Sequence, residues 1–214
     1  MRLLHILNAI EFSGAETMIA GSAADFAAHG VEVHCLSTGR VEGSYADTVR
    51  EAGVFVHHVP DKPLAFFWLR LLAILLSERF DVVNVHRERR SFWFLLCARA
   101  ARVPTVVRTV HNVFPYTGFR RLVRGVQRRS ADGILRVRFI FVGPTVTRNE
   151  QERFGTVGRQ ITNFVDERRF FPARTAEERL SARSLLGIAK DAFVLVSIGA
   201  CTDVKRQGDA HGQS

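Results

Sequence analysis

The sequence predicts an α/β fold, a Rossmann-like parallel sheet with helices on both faces, followed by the opening of a second, truncated unit of the same kind. Three observations predict it. The apolar run Leu3-Leu4-His5-Ile6-Leu7 breaks at Ser13-Gly14-Ala15-Glu16, and apolar residues then recur at helical spacing through Met18, Ile19, Ala23, Phe26 and Ala27. Short apolar, β-branched runs return along the chain with helical segments between them, an alternation that requires right-handed crossovers and parallel pairing. Near the C-terminus, Phe193-Val194-Leu195-Val196-Ser197-Ile198-Gly199 reads as another first strand reaching another glycine.

In order, strands are expected over residues 3–7, 31–36, 54–59, 81–86, 105–111 and 139–142. Helices are expected over 15–29, 44–52, 64–80, 91–102, 119–129 and 144–154, with Gly30 and Gly53 as stops before the next strand. A further short strand over 161–165 leads into an irregular basic and aromatic crossing over 166–172, then an Arg- and Glu-rich helix over 175–186 stopped by Gly187. Residues 205–214 are polar with no apolar period and cannot order themselves by burial. The expected organisation is a Rossmann-like domain over 1–172, a crossing helix and first strand over 173–204, and a disordered tail over 205–214.

A chain of 214 residues with 47% apolar residues and 17 Phe can bury a sizeable core. Its net charge of +9 favours acidic partners: phosphates, nucleic acid or an anionic lipid surface. Lysine occurs only at Lys62, Lys190 and Lys205, so 27 of the 30 basic residues are Arg, whose planar fork suits phosphate oxygens. A compositional bias of the source genome gives the same excess. Cys35, Cys97 and Cys201 are far apart and odd in number, which fits a reducing compartment and no structural zinc. His5, Asn8 and Glu11 interrupt the N-terminal apolar stretch, which excludes a signal peptide on this reading and leaves the cytoplasm as the expected location.

Ligands of open parallel sheets sit beyond the carboxyl ends of the strands, where the following helices aim their free N–H groups. Three polar groups fall at that edge: Ser13-Gly14-Ala15-Glu16 after the first strand, His86 at the end of the 81–86 strand, and Thr109-Val110-His111-Asn112 at the end of the next. Taken singly, a Ser-Gly turn also serves as a helix cap, and a strand-end His is also a structural residue. Their shared placement points to one site.

This set resembles the acceptor-side, N-terminal domain of the GT-B glycosyltransferases, of the retaining family 4 type, in which a glycine-containing turn with Ala-Glu and two strand-end histidines face the interdomain cleft. The resemblance covers nearly all of residues 1–205. Further matches are Gly30-Val31-Glu32-Val33, Asp81-Val82-Val83, Asn163-Phe164-Val165-Asp166 and Arg169-Phe170-Phe171-Pro172, the last two corresponding to Asn-Gly-Val-Asp and Arg-Phe-x-Pro elements near the domain crossing. The resemblance implies transfer of a sugar from a nucleotide-diphosphate sugar, the donor substrate, to an acceptor hydroxyl on a glycan or lipid-linked molecule. It implies no permanently bound cofactor and no metal site. The backbone N–H groups of Gly14 and Ala15 would approach the donor's diphosphate, within a donor-binding set of Ser13, Gly14, Ala15, Glu16 and Lys205. His111 would be the catalytic contact to the donor sugar or its leaving phosphate, while His86, Arg87 and Asn112, with Glu16 beside them, would line the acceptor side. Gly199-Ala200 lacks the family's Gly-Arg pair, Phe164 replaces a glycine, and no Glu-x7-Glu element occurs, so the expectation is a chain weakly active or inactive alone.

Two surfaces carry a second expectation. On the 119–129 helix, Phe119, Leu122, Val123 and Val126 share one face and Arg120, Arg121, Arg124 and Arg128 the other; the apolar face is expected to pack on the sheet, or else to lie on an anionic membrane. Residues 64–76 are apolar but for Arg70 and too short to cross a bilayer, which needs about 20 residues, so this helix is expected to be buried, or else interfacial. Arg87-Glu88-Arg89-Arg90 reads as a solvated loop, or as an anion-capturing one. The alternative class is therefore a non-catalytic basic module docking on anionic lipid or another acidic partner. Nucleic acid is disfavoured because no helix-turn-helix, zinc finger or RNA-stacking motif is present. A dehydrogenase is disfavoured because there is no Gly-x-Gly-x-x-Gly, and Ser37-Thr38-Gly39-Arg40 offers no acidic ribose partner.

Overall fold

Seven parallel strands form the sheet of the computed structural model, which describes residues 1–167 and 170–196. The elements follow as β1 (Arg2–Leu7), α1 (Gly14–Ala28), β2 (Glu32–Ser37), α2 (Ala46–Glu51), β3 (Phe55–His58), α3 (Leu64–Glu78) and β4 (Val82–Val85). They continue as α4 (Ser91–Ala100), β5 (Thr105–Val110), α5 (Gly118–Gly133), β6 (Arg138–Phe141), α6 (Pro144–Phe154), β7 (Arg159–Gln160) and α7 (Ala176–Leu185). The chain divides into two compact units, Met1–Asp166 and Glu167–Ser214, and the division falls within the expected basic-aromatic crossing.

The strand order β3-β2-β1-β4-β5-β6-β7 reverses direction between β1 and β4, so their carboxyl ends lie side by side at the switch point. Alternate residues of β1 feed two cores. Leu4 and Ile6 join Phe67, Leu71, Phe94 and Val106 on the face covered by α3 and α4, whereas Leu3 and Leu7 join Ile19, Val33 and Val49 on the face covered by α1 and α2. Burial on both faces is why these strands read as continuous apolar runs.

Four expectations are corrected. The last strand of the sheet is β7, Arg159–Gln160, rather than 161–165. Gly158 explains the shift, since a Cβ there would lie 2.7 Å from the Phe139 oxygen; the glycine lets the chain close on β6, and only Ile161 N–H, at 2.9 Å from Phe141 O, continues the pairing. The 119–129 helix runs from Gly118 to Gly133 and is turned the other way. Phe119, Leu122 and Val126 are exposed, while Gly125, Arg128 and Ala131 face inward. Helix α3 buries only the stripe Phe67, Leu71 and Leu75, leaving Phe66, Leu69 and Leu76 exposed. Phe193 to Val196 are exposed and form no strand; Arg169, the 197–199 segment, Lys205 and the polar tail lie outside the described residues. In the second unit α7 is capped by Thr175, whose hydroxyl accepts the Glu178 N–H at 3.1 Å.

The connection from β1 to α1 is pinned at Ile10. Its N–H donates to Glu42 O at 2.8 Å and its carbonyl accepts the Tyr45 N–H at 2.9 Å, which brings Gly43 against its backbone. Gly43 has φ +118°, and a Cβ there would stand 2.2 Å from Ile10 O. Gly43→Ala is therefore expected to destabilise the fold by about 2 kcal/mol or more in urea unfolding. Gly14→Ala is the control, because a Cβ at Gly14 meets nothing within 4 Å; equal losses in the two variants would refute this account.

Candidate active site

Register places the site residues on one face of the sheet. His5 pairs with Asn84 and Asn84 with Val107, so the period of two carries His86, Thr109 and His111 to the same side at the carboxyl edge. Next to them starts α1. Ser13 occupies its N-cap position in extended conformation but makes no side-chain cap; its hydroxyl donates instead to the Glu16 carboxylate. The opening amides of α1, at Gly14 and Ala15, therefore remain available to an anion at the positive end of the helix.

Three imidazoles form a chain along this edge. His5 Nδ1 lies 2.8 Å from His86 Nε2, and His86 Nδ1 lies 2.7 Å from His111 Nε2. The rings of His86 and His111 stack with centroids 5.0 Å apart. Together with Ala15, Met18, Phe26, Asn84 and Phe164, the three rings line a pocket of about 190 Å³ that is mostly apolar. Asn84 is held there by the Thr109 hydroxyl, which donates to its Oδ1 at 2.9 Å.

Burial sets the charge state of the chain. It pushes His5 down to about 4, with repulsion from His111 adding to it. It also holds His86 well below the ordinary histidine value, with His5 and His111 adding to the effect, and lowers His111. At neutral pH the pocket thus presents neutral rings. Among the described residues no group of three or more His, Cys, Asp or Glu is arranged to hold a metal ion, and the imidazole nitrogens here face one another.

The residues singled out in the sequence divide in space. Ala15, His86 and His111 share the pocket, and Ser13 and Gly14 lie immediately before it. Glu16 does not line it: buried, with its acidity weakened by that burial and partly restored by Ser13, it lies close enough to Cys35 to help push the thiol up to about 12, an effect due first to burial. Arg87 is neither solvated nor free to capture an anion. Its guanidinium donates to Thr38 Oγ1 at 2.6 Å and contacts Asp61 at 3.3 Å, with Arg90 on the same carboxylate at 3.1 Å. Glu88 is likewise tied inward to Arg108, Arg128 and the Tyr116 hydroxyl, so of this loop only Arg89 is exposed. Asn112 is exposed at the end of β5, outside the pocket lining, and Lys205 lies outside the described residues. Sequence reading passed over His5 and Asn84. Their signal was parity: each is a polar residue inside an apolar strand, on the same side as the strand-end histidines.

The lowered histidines make the fold acid-sensitive. Between about 6.5 and about 4 the unfolded chain binds protons at His5 that the folded chain refuses, so stability is lost as pH falls through that window. His5 alone accounts for about 3 kcal/mol across it. The melting temperature should drop over this range and the slope should soften in His5→Phe; a flat profile would contradict the neutral chain.

Comparison with known proteins bears on family and fold. The model of Glycosyltransferase Family 4 matches residues 12–169. EpsF of Bacillus subtilis (strain 168), named as a candidate glycosyltransferase, is 28% identical over 95% of this chain and 55% of its own. Two solved structures share the fold: Anabaena Alr3699/HepE, in complex with UDP and glucose, with a TM-score of 0.58 at 16% identity over 87% of this chain and 50% of that one, and Acinetobacter baumannii MurG, with 0.51 at 11% over 75% and 44%. The chain thus spans about half the length of these relatives. A Rossmann-like parallel sheet and a family match over most of the chain's length together mean that this chain belongs to Glycosyltransferase Family 4, with the fold of a GT-B N-terminal domain.

Proposed function

We propose that the protein supplies the acceptor-side domain of an enzyme moving a sugar from a nucleotide-diphosphate donor to an acceptor hydroxyl. The observation that carries the reading is the convergence, at one sheet edge, of the uncapped amides of Gly14 and Ala15 with the imidazole chain ending at His111. The amides suit diphosphate oxygens, and His111 suits the donor sugar or its departing phosphate. HepE, of like fold, was solved with UDP and glucose, which agrees with a nucleotide-sugar donor. His86 would bear on the acceptor side through its contact with His111. Residues 173–204 would begin the donor-binding domain, with Lys205 a donor contact. Catalysis in such a site consists of positioning and of stabilising charge on the leaving group.

Radiolabelled nucleotide-diphosphate sugars, offered with oligosaccharide and lipid acceptors to the chain joined to a donor-binding domain of its family, test the reading. Transfer should fall about 10²-fold in His111→Ala and in Gly14→Val. The Gly14 variant should keep its fold, since a Cβ there meets nothing within 4 Å, and circular dichroism checks the fold of His111→Ala. Transfer unaffected by either change would remove the site from the reaction.

A lipid surface is the favoured location for the acceptor, at the cytoplasmic face of a membrane. No helix among the described residues is long and apolar enough to cross one. Helix α5 nevertheless turns Phe119, Leu122 and Val126 to solvent, 78%, 58% and 51% exposed, with Arg120 and Arg121 exposed beside them. An outward apolar stripe flanked by Arg fits peripheral docking on anionic lipid. Sedimentation should show binding to phosphatidylglycerol-containing vesicles, weaker in high salt and lost in Leu122→Glu; equal binding by that variant would refute docking through α5.

A further inference from the structure

The imidazole chain has two free ends, and they are unlike. At the inner end His5 Nε2 is buried without a hydrogen-bond partner and without surface for a water to reach. At the outer end His111 Nδ1 has no protein partner among the described residues, and His111 lines the pocket. Neutral imidazole carries a single N–H, so each ring within such a chain donates through one nitrogen and accepts through the other. Both bonds must then run the same way.

Run outward, His5 Nδ1–H donates to His86 Nε2, and His86 Nδ1–H donates to His111 Nε2. His5 Nε2 keeps a bare lone pair, and His111 holds its proton on Nδ1 in the pocket. Run inward, the proton is stranded on His5 Nε2, where no acceptor exists. An orphaned buried N–H is the rarer and costlier defect, so the outward direction wins. No charge competes: the pocket lining contains no carboxylate, guanidinium or ammonium, the Asn84 carbonyl oxygen is engaged by Thr109, and the neighbouring Arg87 is held by Thr38 and Asp61.

We infer that His5 is a positioning residue which, acting through His86, fixes His111 as a neutral Nδ1–H donor, so that the pocket offers a hydrogen bond to an oxygen of its ligand and offers no base. The consequence rests on the sugar-transfer reading only in naming that oxygen, a phosphate or sugar oxygen of the donor. For His111 to accept a proton at Nδ1, both inter-ring bonds would have to reverse and strand an N–H at His5.

Long-range ¹H–¹⁵N correlation on the chain labelled with [¹⁵N]histidine, near neutral pH, reads the tautomers directly. The expected result is His111 with Nδ1 in the N–H range and Nε2 in the lone-pair range, His86 and His5 following the same pattern. A proton on His111 Nε2, or averaging between tautomers, would overturn the inference. In His5→Phe, the His111 resonances should move toward averaged positions although residues 5 and 111 share no hydrogen bond; unchanged resonances would also overturn it. If that variant does not fold, the wild-type spectrum decides alone. Because the readout needs no donor, acceptor or turnover, a locked Nδ1–H in a protein whose transfer, measured with a donor-binding domain supplied, is indifferent to His111→Ala would keep this inference and retire the functional reading, and His111-dependent transfer with an averaged His111 would do the reverse.

Discussion

The Glu150 carboxylate has no exposed surface, and the placement of the C-terminal half of the sheet's helices depends on how that charge is paired. Arg128 of α5 reaches it with two bonds, at 2.6 and 2.9 Å, and also approaches Glu88 at 3.5 Å. Glu88 in turn holds Arg108 of β5. Burial pushes the Glu88 carboxyl up, but Arg108 and Arg128 hold it below the ordinary carboxylate range. Breaking one partner of such a buried set leaves an uncompensated charge, at about 3–5 kcal/mol. The network therefore ties α4's N-terminal loop, β5, α5 and α6 into one body, and it fixes the two strand ends that carry His86 and His111.

Two electrostatic regimes result, one on each face of the sheet. On the α5 face, charges are buried and paired. On the α1 face, the pocket holds neutral rings with no charged neighbour in its lining, where a hydrogen bond is strong because water is scarce. This partition changes the meaning of the +9 net charge. Arg87, Arg90, Arg108 and Arg128 are engaged with Asp61, Glu88 and Glu150, and Arg99 satisfies the carbonyls of Val103, Leu135 and Arg136. Part of the Arg excess thus builds the fold, while Arg120 and Arg121 stand exposed beside the outward stripe of α5.

The fold was legible because its signals are local. Each parallel strand is buried on both faces and each crossover helix shows its own period, so runs such as Leu3 to Leu7 and the turn at Ser13-Gly14 announce themselves within a few residues. The site edge was legible for the same reason, since strand ends inherit their position from topology. The expectation that the apolar face of α5 packs on the sheet fails because a helical wheel reports apolarity and not the location of a countercharge. Arg128 faces inward on account of a residue 22 positions away, and the apolar stripe goes outward as the remainder. Glu16 shares the strand-end turn of Gly14 and Ala15 and so reads as part of the same edge as the histidines, but the twist of a helix sends adjacent residues to different sides, and it lies toward Cys35 instead.

By itself, the amino-acid order determined the alternation of strands and helices, the parallel sheet and the set of polar groups at its carboxyl edge, because spacing and turn chemistry act over short stretches. Tertiary structure alone decided that His5, His86 and His111 form one hydrogen-bonded chain, that α5 docks through Arg128, and that Arg87 is already paired. The reason is that hydrogen bonds and buried charges are settled between residues distant in sequence, where only the packed fold specifies which partners meet and which atoms are sealed from water.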